Sequence, residues 1–207
     1  MLNLLYIMRH GESVVNREHR LTCKRFDGAL TPLGREQAAR AGAWLHEKSI
    51  TRILSSPFER AIESAAIIAD RLGLSSSVDD GLREMDCGRL EGRTDEEAWG
   101  EWQQVYDRWK MCDWKAAFPD GETYRQAYDR LNGVLQKVQI GGTALLVTHG
   151  GITRTVIPYL CVNAAALQEV HPPDNAGFII LEPFGDGRFI CRAWNQNEHL
   201  KGLNEHA

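Results

Sequence analysis

Five features are scarce or missing in this 207-residue sequence, and each closes off a class of protein. Basic charge is in short supply: 24 Lys and Arg stand against 28 Asp and Glu, a net charge of −4. A nucleic-acid or membrane surface therefore has no electrostatic support, and any cationic site must be local. Paired cysteines are absent: Cys23, Cys87, Cys112, Cys161 and Cys191 are scattered without CxxC spacing. An odd count with no framework points to reduced thiols in a cytoplasmic protein, each a small packing residue rather than a nucleophile. The seven histidines form no H-x-H or H-x-x-x-H pair, so the spacing supports no metal site. No apolar run reaches transmembrane length. The apolar N-terminal stretch lacks a basic n-region and a small-residue cleavage site, so no signal peptide is expected.

What remains is the composition of a globular chain, with 43% hydrophobic and 25% charged residues. The length suits one domain over residues 1–207 that buries its core without staples. Leu2 to Met8, apolar apart from Asn3, reads as a short buried strand, continuous rather than alternating, the pattern of a parallel sheet. Arg52–Leu54 and "TALLVT" before His149 read as two more strands. Thr31-Pro32 predicts an N-cap with Pro in the first turn of a helix running to Lys48. "SSPFERAIESAAIIADRLG" predicts a helix opened by a Ser56–Glu59 capping box and closed by Gly73. Tyr124, Tyr128, Leu131, Leu135 and Val138 share one helical face, and another helix follows Gly150-Gly151. "GFIILE" and "RFICRAW", joined by "PFGDGR", form a hairpin signal. Strands alternating with helices predict an α/β three-layer sandwich with a mostly parallel sheet and a late hairpin. The polar tail from Asn195 is expected to be loose.

Three strand ends carry the residues of interest. In open α/β sheets, ligands bind beyond the carboxyl ends of the strands. The first ends in Arg9-His10-Gly11-Glu12, the second leads to Arg60 in the first turn of a helix, and the third ends in His149-Gly150-Gly151. Two arginines and two histidines on one edge suit an anion, with helix N-termini adding amide donors. Glycines beside both histidines are expected to let phosphate approach closely. Either histidine, as a neutral imidazole, could attack phosphorus. The arginines would disfavour imidazolium and stabilise charge on the transferring group. "LREMDCGRLEG" offers Glu84 as the acid for an alcohol leaving group, with Asp86 and Glu91 as weaker candidates.

The pieces "RHGESVVN", "LTPLGREQA", "SSPFERAIESA", "LREMDCGRLEG" and "VTHGG", in that order, resemble the histidine phosphatase superfamily with its phosphoglycerate-mutase-like fold. The resemblance runs from Leu4 to about Asn197. It implies a phosphorylated nucleophile at His10, a phosphate clamp of Arg9, Arg60 and His149 with Asn16 and Gly150 beside them, and Glu84 as proton donor. It also implies a mechanism without metal or other cofactor. The loop after Asn16 lacks the Gln-Gly or Phe-x-Gly-Trp pattern that many members carry. The chain is also shorter in its middle than the glycolytic mutases, which favours a phosphatase acting on a small phosphomonoester. A mutase is the alternative reading. The segment "WQQVYDRWKMCDWKAAFPDGETY" is similar to part of the alpha-ribazole phosphatases of cobalamin assembly. A helical insert is expected at about 95–120, where Trp99, Trp102, Tyr106 and Trp109 read as a packing stripe ahead of a substrate wall. Asn175 and the "WNQNEHL" tail are expected to be structural, and a homodimer is compatible with the sequence.

Overall fold

The computed structural model describes residues 2–24, 27–138, 141–163, 167 and 171–203. Its centre is a six-stranded sheet in the order β3-β2-β4-β1-β5-β6. The strands are β1 (Leu2–Arg9), β2 (Ile50–Ser55), β3 (Ser76–Val78), β4 (Gly142–Thr148), β5 (Phe178–Gly185) and β6 (Arg188–Gln196). The first four run parallel, and β5 and β6 join as an antiparallel hairpin on the β1 side. The sheet is mostly parallel, as the sequence predicts.

β1 shows why its sequence is continuous rather than alternating. Leu5 and Ile7 pack into the core on one face, with α4 (Glu96–Lys110), α5 (Tyr124–Val138) and α6 (Gly150–Leu160). Tyr6 and Met8 pack into the other, with α2 (Pro32–Leu45) and α3 (Glu59–Leu72). A strand covered on both sides needs apolar residues at every position. Thr31 caps α2 by accepting from the Gly34 amide at 3.0 Å, and Gly73 ends α3 at φ +65°. α4 starts at an Asp95 N-cap, whose side chain accepts from the Ala98 amide.

Two local expectations fail. Ser56 and Glu59 form no capping box: α3 starts at Glu59, and the Ser56 hydroxyl is 2.7 Å from His149 Nε2. The Glu59 amide donates instead to Asp27, a long-range cap. Between Asn195 and Leu203 the tail is docked, not loose. Asn195 and Asn197 donate to the Asp174 carboxylate at 3.0 and 2.7 Å, and Leu200 is buried against the second core face. The one-turn helix α1 (Val14–Arg17) and the edge strand β3 have no counterpart in the sequence reading.

Candidate active site

The parallel strands β2, β4 and β1 are neighbours, so their carboxyl ends meet at one edge of the sheet. The ladder continues one step beyond them: the His10 amide donates to Thr148 O at 2.9 Å and the Ser56 amide to Val147 O at 2.9 Å. This fixes the backbones of His10, Ser56 and His149 side by side, and the His10 and His149 rings stand 5.1 Å apart, edge to face. Above this edge opens a cleft of about 260 Å³. Arg9, His10, Asn16, Arg60, Glu84 and Gly150 line it, as the sequence expects. His149 does not; it is fully buried beneath the wall.

His10 is 2% exposed. Its Nδ1–H donates to the Gly11 carbonyl at 2.7 Å, and its Nε2 accepts from Arg60 Nε at 3.1 Å. The tautomer follows from these partners, and it leaves a lone pair on Nε2 facing the cleft's cations. Burial first, then Arg60 and Arg9, push the His10 pKa well below the ordinary histidine value. A neutral imidazole is the form that can act as a nucleophile.

Arg60 is held on all sides. Beyond His10, it pairs with Asp27 at 2.9 Å and donates to Thr22 O at 3.3 Å. Burial lowers its pKa, and Asp27 opposes that shift. Arg9 Nη1 donates to Pro173 O at 2.9 Å, while its buried Nε has no partner among the described residues. His149 also keeps one unpartnered nitrogen, Nδ1, because Nε2 is taken by Ser56. If the Ser56 hydroxyl donates to Nε2, Nδ1 carries the proton and becomes a donor for an anion. Burial, Arg60 and His10 lower the His149 pKa well below the usual range.

Asn16 is fixed through its carbonyl end. Its Oδ1 accepts from Ser13 N, Ser13 Oγ and Asn175 Nδ2 at 3.1, 2.9 and 3.2 Å. The amide NH₂ is the end left for an anion, and Asn175 is the positioning residue that keeps it so. Glu84 lies across the cleft in a cradle of three backbone amides: Met85 N at 2.8 Å, Ile152 N at 2.7 Å and Gly151 N at 2.9 Å. The α6 N-terminus is thus occupied by a side chain of the protein, and the α3 N-terminus by Asp27. Amide donors expected for the ligand are already in use.

The glycines also serve other purposes than phosphate clearance. A Cβ on Gly11 would lie 2.4 Å from Gly34 O, so Gly11 admits the start of α2. A Cβ on Gly151 would lie 2.7 Å from Glu84 Oε1, so that glycine makes room for the Glu84 carboxylate. The weaker candidates fall outside the site. Asp86 pairs with Lys24 and is not in the cleft. Glu91 accepts from the Cys23 and Lys24 amides and the Cys23 thiol.

Across 5–197 the chain matches the model of the histidine phosphatase superfamily, branch 1. It belongs to that family. The chain is 31% identical over 185 residues to a putative phosphoserine phosphatase 2 of Hydrogenobacter thermophilus, covering 88% of this chain and 90% of the relative. It is 34% identical over 154 residues to a probable phosphoglycerate mutase of Citrobacter koseri, covering 70% and 69%. Among solved structures, Bacillus stearothermophilus YhfR superposes with a TM-score of 0.80 at 27% identity, over 96% of this chain and 99% of that one.

For this member of the histidine phosphatases, sequence reasoning missed the residues that hold the site. Arg130 donates to the Gly81, Arg83 and Glu84 carbonyls at 2.9, 2.7 and 3.1 Å, and pairs with buried Glu122 through two bonds of 2.7 and 2.8 Å. It therefore sets the loop that presents Glu84. Ser64 accepts from the Gly11 amide at 3.0 Å and donates to Arg60 O at 2.7 Å, tying the His10–Gly11 turn to the start of α3. Neither has a sequence signal beyond its place in a motif. The aromatic stripe divides: Trp109 and Tyr106 are buried in the core, whereas Trp99 and Trp102 also face the cleft. The Cys23 and Cys87 thiols and the Glu91 carboxylate lie within 4.8 Å of one another. They fit a metal poorly, since Glu91 is already committed to backbone amides, and the hydrogen bond with Cys87 first, then burial, push the Cys23 thiol up, away from thiolate. No helix among the described residues is long and apolar enough to cross a membrane.

Proposed function

We propose that the chain is a metal-independent phosphatase that hydrolyses phosphomonoesters through a phosphohistidine on His10. One observation carries the reading: a buried, neutral His10 directs its Nε2 lone pair at the guanidinium of Arg60, in a cleft with Arg9, Asn16 and Glu84. In the unliganded arrangement Arg60 covers the nucleophile. A phosphate dianion draws the Arg60 fork onto its own oxygens, with Arg9 Nε and the Asn16 NH₂ as further donors and His149 Nδ1 beneath. That movement frees the His10 Nε2 for in-line attack, and the same cations stabilise the charge of the transferring group.

As the P–N bond forms and the ester P–O bond breaks, Glu84 gives a proton to the departing alkoxide. The Glu84 Oε1 accepts two of the three amides and Oε2 only one, so the proton can sit on Oε2 with all three bonds kept. In the second half-reaction the Glu84 carboxylate takes a proton from water, which attacks phospho-His10 and returns phosphate and the neutral imidazole. The relatives named for phosphoserine and phosphoglycerate support a small phosphate ester as substrate. A relative named as a mutase supports a second reading, transfer within a phosphoglycerate, by the same residues.

The test is release of inorganic phosphate from p-nitrophenyl phosphate, sugar phosphates, 3-phosphoglycerate, phosphoserine and alpha-ribazole phosphate, in EDTA, for wild type and His10→Ala. EDTA-resistant release lost in the variant is the expected result. Isomerised phosphoglycerate with little free phosphate would favour the mutase. Turnover that EDTA abolishes, or that His10→Ala retains, would refute the reading.

A further inference from the structure

Four arginines face the cleft and one carboxylate, Glu84, opposes them among the described lining residues. Arg9 and Arg60 match the phosphoryl group, and Arg20 is tied to Glu18 and the Gly92 carbonyl. Arg154 is left without a task. It has no carboxylate partner among the described residues, its Nε is buried without an acceptor, and its one side-chain hydrogen bond is a long 3.4 Å contact to Gln103. The guanidinium lies over the Tyr106 and Trp102 rings, 3.8 and 4.8 Å from their centroids. Stacking fixes the plane of the fork and leaves its N–H edge for a planar acceptor. Burial lowers the Arg154 pKa, a desolvation cost that Tyr106, Glu84 and Asp107 only partly offset.

Position adds to this. Gly150, Gly151 and Arg154 lie on one face of α6, and four residues carry Arg154 about 6 Å along the axis beyond Gly150 at the phosphate end. A cleft of about 260 Å³ holds a small molecule, not an extended one. We propose that Arg154 is a specificity-determining residue that binds a carboxylate of the substrate, so that the preferred substrates are small phosphorylated hydroxy acids. In them, an ester oxygen and two or three carbons separate the phosphorus from the acid group. This rests on the phosphatase reading for its chemistry, not for the binding itself.

The experiment compares 3-phosphoglycerate with glycerol 3-phosphate, which has an alcohol in place of the carboxylate. Wild type is expected to prefer the acid in kcat/KM. Arg154→Met keeps the stem on the rings and removes the fork; it should lower kcat/KM for the acid by about 10- to 100-fold, chiefly through KM. Glycerol 3-phosphate should change by less than about threefold, and Arg154→Lys should recover part of the loss, because its single charge cannot make the two-bond fork. Equal losses on both esters would show a packing role and overturn the proposal, as would a wild type indifferent to the carboxylate. A second arm measures Kd for both compounds on His10→Ala, with and without Arg154→Gln, after thermal melts confirm folding. Tighter binding of the acid that Arg154→Gln removes supports the subsite even if no ester is turned over, an outcome that would sink only the phosphatase reading. If 1,3-propanediol bisphosphate binds more tightly than the acid, with the same dependence on Arg154, the group recognised is a second phosphoryl and the carboxylate assignment is wrong.

Discussion

Gly151→Ala isolates the role of Glu84 without touching its side chain. Gly151 is the second residue of α6, in ordinary helical conformation, so alanine is acceptable to the backbone and raises local helix propensity. The new Cβ, however, would lie 2.7 Å from Glu84 Oε1, whereas ordinary contact begins near 3.4 Å. The difference, 3.4 − 2.7, requires the carboxylate to move about 0.7 Å, and it is the mobile end of the pair. Glu84 then leaves the amides of Gly151 and Ile152 that place it over the cleft. A displacement approaching 1 Å costs a positioned catalytic group on the order of 10²-fold in rate. Release of phosphate from alkyl phosphates should fall by about that factor, and kcat should carry most of it. p-Nitrophenyl phosphate, whose leaving group scarcely needs a proton, should lose less than about threefold. A malachite-green assay on both esters, with thermal melts as a folding control, decides it. Equal losses on the two esters, or undiminished alkyl phosphatase activity, would refute Glu84 as the acid held by the α6 amides.

Arg130→Met removes the two-bond partner of the Glu122 carboxylate, 5% exposed, leaving it a 3.7 Å contact with Arg83 and the Asp86 amide at 3.3 Å, and it releases three loop carbonyls. Breaking such a pair costs about 3–5 kcal/mol, so Tm should fall by roughly 6–20 °C; a change below 2 °C would contradict it. Ser56→Ala removes the partner of His149 Nε2, and kcat should drop about tenfold with little change in Tm, since the hydroxyl's part is to set the tautomer. For pH, the folded-state values of His10 and His149 lie well below the unfolded value of about 6.5. The unfolded chain therefore binds more protons as pH falls through 6.5, and stability is lost by about 1.4 kcal/mol per pH unit for each histidine until its folded value is reached. Urea unfolding at pH 5.5 and 7.5 should show this loss, and His149→Asn should reduce it; an unchanged pH dependence would argue against a buried neutral His149.

Particular residues explain what the sequence could and could not show. β1 and β4 were legible because both are central and covered on two faces, so residues 4–8 and 144–147 are unbroken apolar runs, and His10 and His149 sit two residues past them. Thr31 capped its helix as expected because its partner is three residues away. The Ser56–Glu59 box failed for the opposite reason: Ser56 is claimed by His149, 93 residues later, and Asp27 reaches in from a distant loop. Local pattern cannot weigh a competitor so far along the chain. β3 was invisible because its three residues are all exposed at the sheet edge and carry no apolar signal. The tail was misread because polar bonds, from Asn195 and Asn197 to Asp174 and from Trp194 to His171 O, dock it as much as Leu200 does. In the site itself, motif residues were legible, while the order of bonds among them was not. Nothing in "RHGE" says that the lone pair of His10 meets Arg60, or that Gly11 exists for Gly34.

The most direct test of the account is to trap the intermediate. The protein is mixed with a ³²P-labelled phosphomonoester that it turns over, quenched in alkali, digested and mapped by mass spectrometry. An acid-labile, alkali-stable label on His10, appearing in a burst and absent from His10→Ala, is the expected result. Turnover with no label on His10, or with the label on another residue, would contradict the central claim.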